Sequence, residues 1–322
     1  MRIKGLKAVA RACVGLAVAG IMLAAHAGTA VAQAPLTVVL GYGRASLSAK
    51  AFSLIDVDLS LALSAPVATE YLQGDSGARA RARVGGAGPD ERVILVMDDF
   101  ETIAAGLTAP EAAALRPIAK LSRGISLALV VPEGGDIHDW AGFAKAVSGR
   151  TLRVAANGPG SVTGIGAALA AKVGGGTIEQ IATDSTLASF ALVADARIDA
   201  AVVTTFDLAL INALTNRAVT PIVTYGAKRA PALGRTPTLA EVTKTEDLAF
   251  TTSVSVYASA RMNDALARQL TAAIIRAGQT KETAAAAKAA NFPLQVEGPE
   301  VVVATTARDT RLARRFQDLL AR

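Results

Sequence analysis

Short continuous apolar runs alternate with amphipathic segments along most of this 322-residue chain. Residues 36–40 (LTVVL), 92–96 (RVILV), 115–121 and 125–131 (ISLALVV) are mainly apolar and have strand length, and the continuous run 36–40 predicts a buried strand. Between the first two, a helix is predicted from Ser46 to about Leu63, with Ala51, Leu54, Ile55, Val57 and Leu61 on its buried side. Residues 67–72 read as a further strand, and 78–84 as a short helix in a polar, Gly- and Arg-rich stretch. A second series begins with a helix over 139–147, whose Trp140, Phe143 and Val147 share one face. Strands over 152–155, 177–182, 198–203 and 220–225 follow, separated by helices from 161, over 186–194 and over 207–215. Such β-α-β-α-β alternation predicts parallel strands with right-handed crossovers. The tail adds a β-branched run (249–257), helices over 263–277 and 281–290, a strand over 292–296, and a helix from Pro299 to about Ala321.

Two long strand candidates, 127–131 and 253–257, flank the middle series. The chain is therefore expected to cross into a second domain and to cross back. The expected division is residues 33–126 plus 254–322 as one discontinuous domain and 127–253 as the other. The fold class is α/β: two mainly parallel sheets flanked by helices, joined by two crossings that form a hinge, with a ligand cleft between them.

The first 32 residues change how the charge is read. Arg2, Lys4, Lys7 and Arg11 precede an apolar stretch from Cys13 to Ala25, the pattern of a secretory signal peptide, with cleavage after Ala27 or after Ala32. The whole chain carries 33 basic and 27 acidic residues. All four basic residues of the signal leave with it, so the expected mature protein has 29 against 27. A nucleic-acid partner loses its electrostatic support. The single cysteine also leaves, and His138 remains as the one histidine. That argues against disulfides, a His-rich metal site and a Ser–His triad, and no cofactor is expected. A composition 52% hydrophobic and 4% aromatic suits close-packed Ala-, Val- and Leu-rich layers.

The stretch with most chemistry is 152–171. An apolar strand runs into Asn157-Gly158-Pro159-Gly160, and a small-residue helix opens at Ser161. Glycines permit the turn, and the first helical turn exposes unpaired N–H donors and a partial positive charge. With hydroxyls from Ser161 and Thr163, this is an expected anion site, with a plain strand–turn–helix connection as the alternative. The glycine spacing departs from the dinucleotide fingerprint, and the P-loop Gly-Lys-Ser/Thr is absent.

Residues 227–242 (AKRAPALGRTPTLAEV) closely resemble the "AKRSPALPDVPTVAE" segment of Bug-type periplasmic receptors of tripartite tricarboxylate transporters. The run from Leu115 to Arg123 is similar to that family's "F-x-P-I-A-x-L-x-x", and 155–162 to its "ASSGNGSS" loop. The passage 191–200, with Asp199, is similar to its "L-L-x-G-x-V-D". The resemblance spans about 36–320, strongest over 115–242. It implies a monomeric periplasmic solute-binding receptor that closes on a small carboxylate and presents it to membrane transporter subunits. A stand-alone sensor of the same fold and, more remotely, a periplasmic enzyme are the alternatives. Carried over residue by residue, the first-domain site would comprise Gly41, Tyr42, Gly43, Arg44 and Ser46, with Asp98 and Asp99 after the third strand. The second-domain site would comprise Asn157, Gly158, Gly160, Ser161, Val162, Thr163, Ser185, Thr186, Thr204 and Thr205. The sequence departs from the family in the first-domain loops, which lack the Gly-Gly-Gly-x-Asp core and the Gly-Thr-rich loop.

Arg44 could hold a carboxylate in a bidentate pair or stand in solvent. Asp98 and Asp99 could bond ligand hydroxyls or an ammonium, pair with Arg44, or cap the helix that follows. Tyr42 could line the cleft. Packing suffices for His138 and Trp140. Arg308, Arg311, Arg314 and Arg315 have the spacing of a solvated helical face.

Overall fold

The apolar runs assemble into two sheets. A computed structural model describes residues 34–214 and 219–321; the signal segment and both of its cleavage positions lie outside these. The strands β1 (Leu36–Leu40), β2 (Val67–Tyr71), β3 (Val93–Asp98) and β4 (Leu115–Ser122) belong to the first sheet. The second sheet holds β5 (Leu127–Pro132), β6 (Leu152–Ala156), β7 (Ile178–Ala182), β8 (Ala200–Thr204) and β9 (Val219–Thr224). The chain then returns to the first sheet as β10 (Val254–Ser259) and β11 (Leu294–Glu297).

The strand orders are β11-β4-β10-β3-β1-β2 and β7-β6-β8-β5-β9. Within each, the strands joined through helices are parallel: β1 to β2 and β3, and β6 to β7 and β8. The strands that follow a crossing run the other way, β10 against β3 and β4, β5 against β8 and β9. This follows from the connectivity. A strand that leaves one sheet at its carboxyl end enters the other sheet at that sheet's carboxyl end, and so must run away from it. The crossing segments are held together where Ile125 and Thr252 exchange backbone hydrogen bonds of 2.6 and 2.9 Å.

Helices cover the sheets. On the first lie α1 (Leu47–Ser53), α2 (Asp56–Leu63), α3 (Ala78–Gly85), α4 (Asp99–Ala105) and α5 (Pro110–Ala113). On the second lie α6 (Trp140–Gly149), α7 (Val162–Val173), α8 (Thr186–Ala194), α9 (Thr205–Leu214) and α10 (Leu239–Thr243). The tail supplies α11 (Asp264–Gly278), α12 (Lys281–Ala289) and α13 (Pro299–Ala321). One core joins Leu40, Phe52, Leu59, Val96, Leu270 and Ile274 beneath the first sheet. Another joins Leu129, Phe143, Leu169 and Val202 with Phe100, Phe250 and Phe316, so α4 and α13 pack onto the second-sheet side. Phe250 lies 5.1 Å from Phe100 and 5.2 Å from Phe316, ring centre to ring centre.

One helix expectation is corrected. The segment from Ser46 to Leu63 is two helices, because the first ends at Leu54 and a new one starts at Asp56. Asp56 and Asp58 then occupy a first turn, where the helix dipole favours acids. The restart rotates the face: Leu59 and Leu63 are buried, whereas Val57 and Leu61 stand about 70% exposed, at 69% and 70%.

Candidate functional site

The carboxyl ends of the two sheets meet, and their loops differ in chemistry. On the second-sheet side most side-chain bonds of the loops are local. Gly158 adopts φ +99°, which suits only glycine, and its carbonyl accepts from the Ser161 hydroxyl at 2.7 Å. Ser161 caps α7 by accepting from Gly164 N–H at 3.0 Å. Thr163 accepts from Asn157 N–H at 2.9 Å and lies within 3.4 Å of the Asn157 side-chain oxygen. A Cβ on Gly164 would fall 2.0 Å from the Gly158 carbonyl oxygen, so only glycine lets the loop fold back on the helix. Ser185 caps α8, with Thr186 buried behind it. Thr204 donates to Asp207 Oδ2 at 2.7 Å and accepts from Asp207 N–H, while Thr205 donates to the Ser126 carbonyl at 3.0 Å.

On the first-sheet side the contacts are long-range and acidic. Asp98 accepts from Thr252 at 2.8 Å, and Asp99 accepts from Ser253 N–H at 2.8 Å and Phe100 N–H at 2.7 Å. Neither pairs with Arg44. The Asp98 side chain also makes no capping bond to α4. Arg44 is exposed, with its guanidinium 4.7 Å from the Tyr71 ring centre. Ser46 caps α1. Gly41 is packed so closely that a Cβ would fall 3.1 Å from Gly77 Cα, and one on Gly43 would lie 3.5 Å from the Asp184 carbonyl oxygen of the other side.

Three residues outside the expected set make the junction. Glu101, fully buried, accepts from the Tyr42 hydroxyl at 2.7 Å and from Arg81 Nη1 at 3.4 Å through Oε1. Its Oε2 accepts from Val162 N–H at 3.3 Å, at the start of α7. The helix terminus expected to hold an anion therefore holds one of the chain's own carboxyl groups. Beside it, Gly160 N–H donates to Ser76 Oγ at 3.1 Å. Farther along, Lys50 forms an ion pair with Asp207. None of the three is among the residues expected from the sequence; Ser76 and Arg81 fall in the polar, Gly- and Arg-rich stretch. The available signal was three acids within four positions, 98, 99 and 101, more than capping one helix requires.

Burial governs the titration here. It raises the Glu101 carboxyl to about 8, helped by the charge of Asp98 and opposed by Arg81. Burial likewise raises Asp98 to about 7, opposed by the Thr252 hydrogen bond and reinforced by Asp99 and Asp207. Asp99 is raised by burial too, and so is Tyr42, with Glu101 adding to it. Such an assembly can bind a carboxyl group through a hydroxyl, a backbone N–H and a guanidinium at once.

No family model and no curated protein matches the chain. Solved structures do. MatC from Rhodopseudomonas palustris, with malate bound, superposes with a TM-score of 0.76 at 21% identity, over 89% of this chain and 99% of that one. The chain has the fold of the Bug- and TctC-type periplasmic binding proteins. The periplasmic binding protein BugD matches with a TM-score of 0.75 at 15% identity, over 89% and 98% of the two chains. R. palustris Rpa4515, with adipate, matches with 0.75 at 14% identity, over 90% and 98%. In this fold the facing strand ends are where the two sheets come together, and Glu101 lies at that meeting point.

Proposed function

We propose that the protein is an exported solute-binding receptor of the Bug type that captures a small organic carboxylate between its two lobes. The observation that carries this reading is the Glu101 carboxyl, held by Tyr42, Val162 N–H and Arg81. It marks a place built to receive a carboxyl group with donors from both sheets. The moving bodies are residues 33–126 with 254–322, and residues 127–253. When they part, the first-sheet Glu101 leaves the α7 terminus, and a solute carboxylate takes its place on Val162 N–H and the Ser161 loop. Closure around the solute shifts the open–closed equilibrium, and a membrane transporter of the tripartite tricarboxylate type reads the closed form. The receptor acts as a monomer and performs no chemistry on its ligand. The malate- and adipate-bound neighbours support the carboxylate class.

A thermal-shift screen of the purified protein against mono-, di- and tricarboxylates, aromatic acids and amino acids tests this. A ligand that binds the folded state stabilises it by mass action, by about 2.7 kcal/mol at a hundred times Kd, and so raises Tm. Carboxylates are expected to raise it. Stabilisation by cations or neutral compounds alone would exclude the reading.

A further inference from the structure

A cavity of about 510 Å³ opens beside the Glu101 junction. Its size falls within the range of small-molecule sites. Arg81, Ser76 and Gly160 form a polar cluster in its lining, joined through the Ser76 carbonyl and hydroxyl. Phe100 and Ala104 of α4, Ile165 of α7, and Phe316 and Leu320 of α13 make an apolar wall. Asp75 and Glu111 also line it.

Arg81 is 4% exposed, yet its Nε–H has no hydrogen-bond partner. Its Nη1 donates to the Ser76 carbonyl at 3.0 Å and to Glu101. A buried guanidinium carries a high cost unless it is paired and its donors are satisfied. Glu101 is one partner for a fork that can serve a carboxylate with two parallel bonds. The Arg81 cluster therefore calls for an anion, and the wall calls for an apolar body. A second carboxylate on the ligand would lie against that wall or near Asp75 and Glu111, with no cation of this cavity's lining to meet it.

We propose that the solute is an amphipathic monocarboxylate, its one carboxylate in the place of Glu101 between Arg81 and Val162 N–H and its apolar body in the cavity between α4, α7 and α13. This rests on the carboxylate-receptor reading and narrows it, since the dicarboxylates seen in the structural neighbours would be the poorer ligands here.

Calorimetric titration of the purified protein with straight-chain monocarboxylates from butanoate to decanoate, and with malate and adipate, decides it. Each added methylene should tighten Kd by about fourfold until the cavity is filled. Hexanoate should bind at least about tenfold more tightly than adipate, its dicarboxylate of equal length, because the second charge would be buried unpaired. Leu320→Asp, at a position 36% exposed near the end of α13, should weaken octanoate about tenfold or more while leaving the fold intact by circular dichroism. Arg81→Gln should weaken every member of the series. Adipate or malate binding as tightly as the monocarboxylates, an affinity independent of chain length, or a Leu320→Asp protein that binds octanoate normally would each overturn the assignment while leaving a carboxylate receptor standing. Absence of binding by every carboxylate would remove both readings together.

Discussion

The two sides of the junction solve the same problem in opposite ways. Polar groups at strand ends must find partners once they are buried. On the second-sheet side most partners are a few residues away: Ser161 with Gly164, Thr163 with Asn157, Ser185 with Ala188, Thr204 with Asp207. On the first-sheet side they lie far along the chain: Asp98 with Thr252, Asp99 with Ser253, Tyr42 with Glu101, Glu101 with Val162. The second-sheet side is assembled mostly by its own loops. The acidic side exists only when distant segments have come together. The first should therefore be sensitive to local geometry and indifferent to pH, and the second the reverse.

The sharpest way to break this contrast is Gly164→Ala. A methyl group placed 2.0 Å from the Gly158 carbonyl must push the loop off the helix. We expect a loss of about 3 kcal/mol in denaturant titration, the upper end for overpacking, with no change in its pH dependence. A loss below 1 kcal/mol would mean the loop adjusts freely.

A smaller effect is expected from Glu101→Gln. Glu101 and Asp98 titrate near 8 and 7 in the fold, above their ordinary values of 4.5 and 3.8. The folded protein thus binds more protons than the unfolded chain between those limits. The stability they contribute is full below about pH 4 and is lost as pH rises through about 7 and 8. Replacing Glu101 with an uncharged residue of the same shape should flatten that fall above pH 5, leaving the part due to Asp98. Melting curves across pH 4 to 9 that superpose on those of the parent would contradict the pairing.

The smallest effect belongs to Arg44→Ala. An exposed guanidinium over Tyr71 contributes about 0.5–1 kcal/mol. A much larger loss of stability would show a role beyond this stacking.

Much of the fold was legible because it rests on local pattern. The five-residue run 36–40 and the helix 186–194 appear at their expected limits, since continuous apolarity and a serine cap are encoded in neighbouring residues. The break at Leu54–Ile55 was not legible, because nothing in that apolar stretch shows that the helix restarts at Asp56 and turns Val57 and Leu61 outward. The site divides in the same way. The Gly158–Ser161 turn and the helix starts near Ser161 and Thr186 could be read from local pattern alone, though both Ser161 and Ser185, expected to meet a ligand, cap those helices. The meeting of Glu101 with Tyr42, Arg81 and Val162 joins residues up to 61 positions apart, and no local signal announces it.

The strand order of the first sheet has a further consequence, for the sequence of assembly. Strand β10 sits between β4 and β3, near the middle of the sheet, although it is formed by residues 254–259. A chain made from its amino end presents β1 to β4 long before their central neighbour exists. The second sheet, continuous from β5 to β9, can form meanwhile. The first sheet remains split into β1–β2–β3 on one hand and β4 on the other until some eighty per cent of the chain has been made, since long-range pairing must wait for its partner. The acidic half of the junction, which leans on Thr252 and Ser253, is therefore completed last.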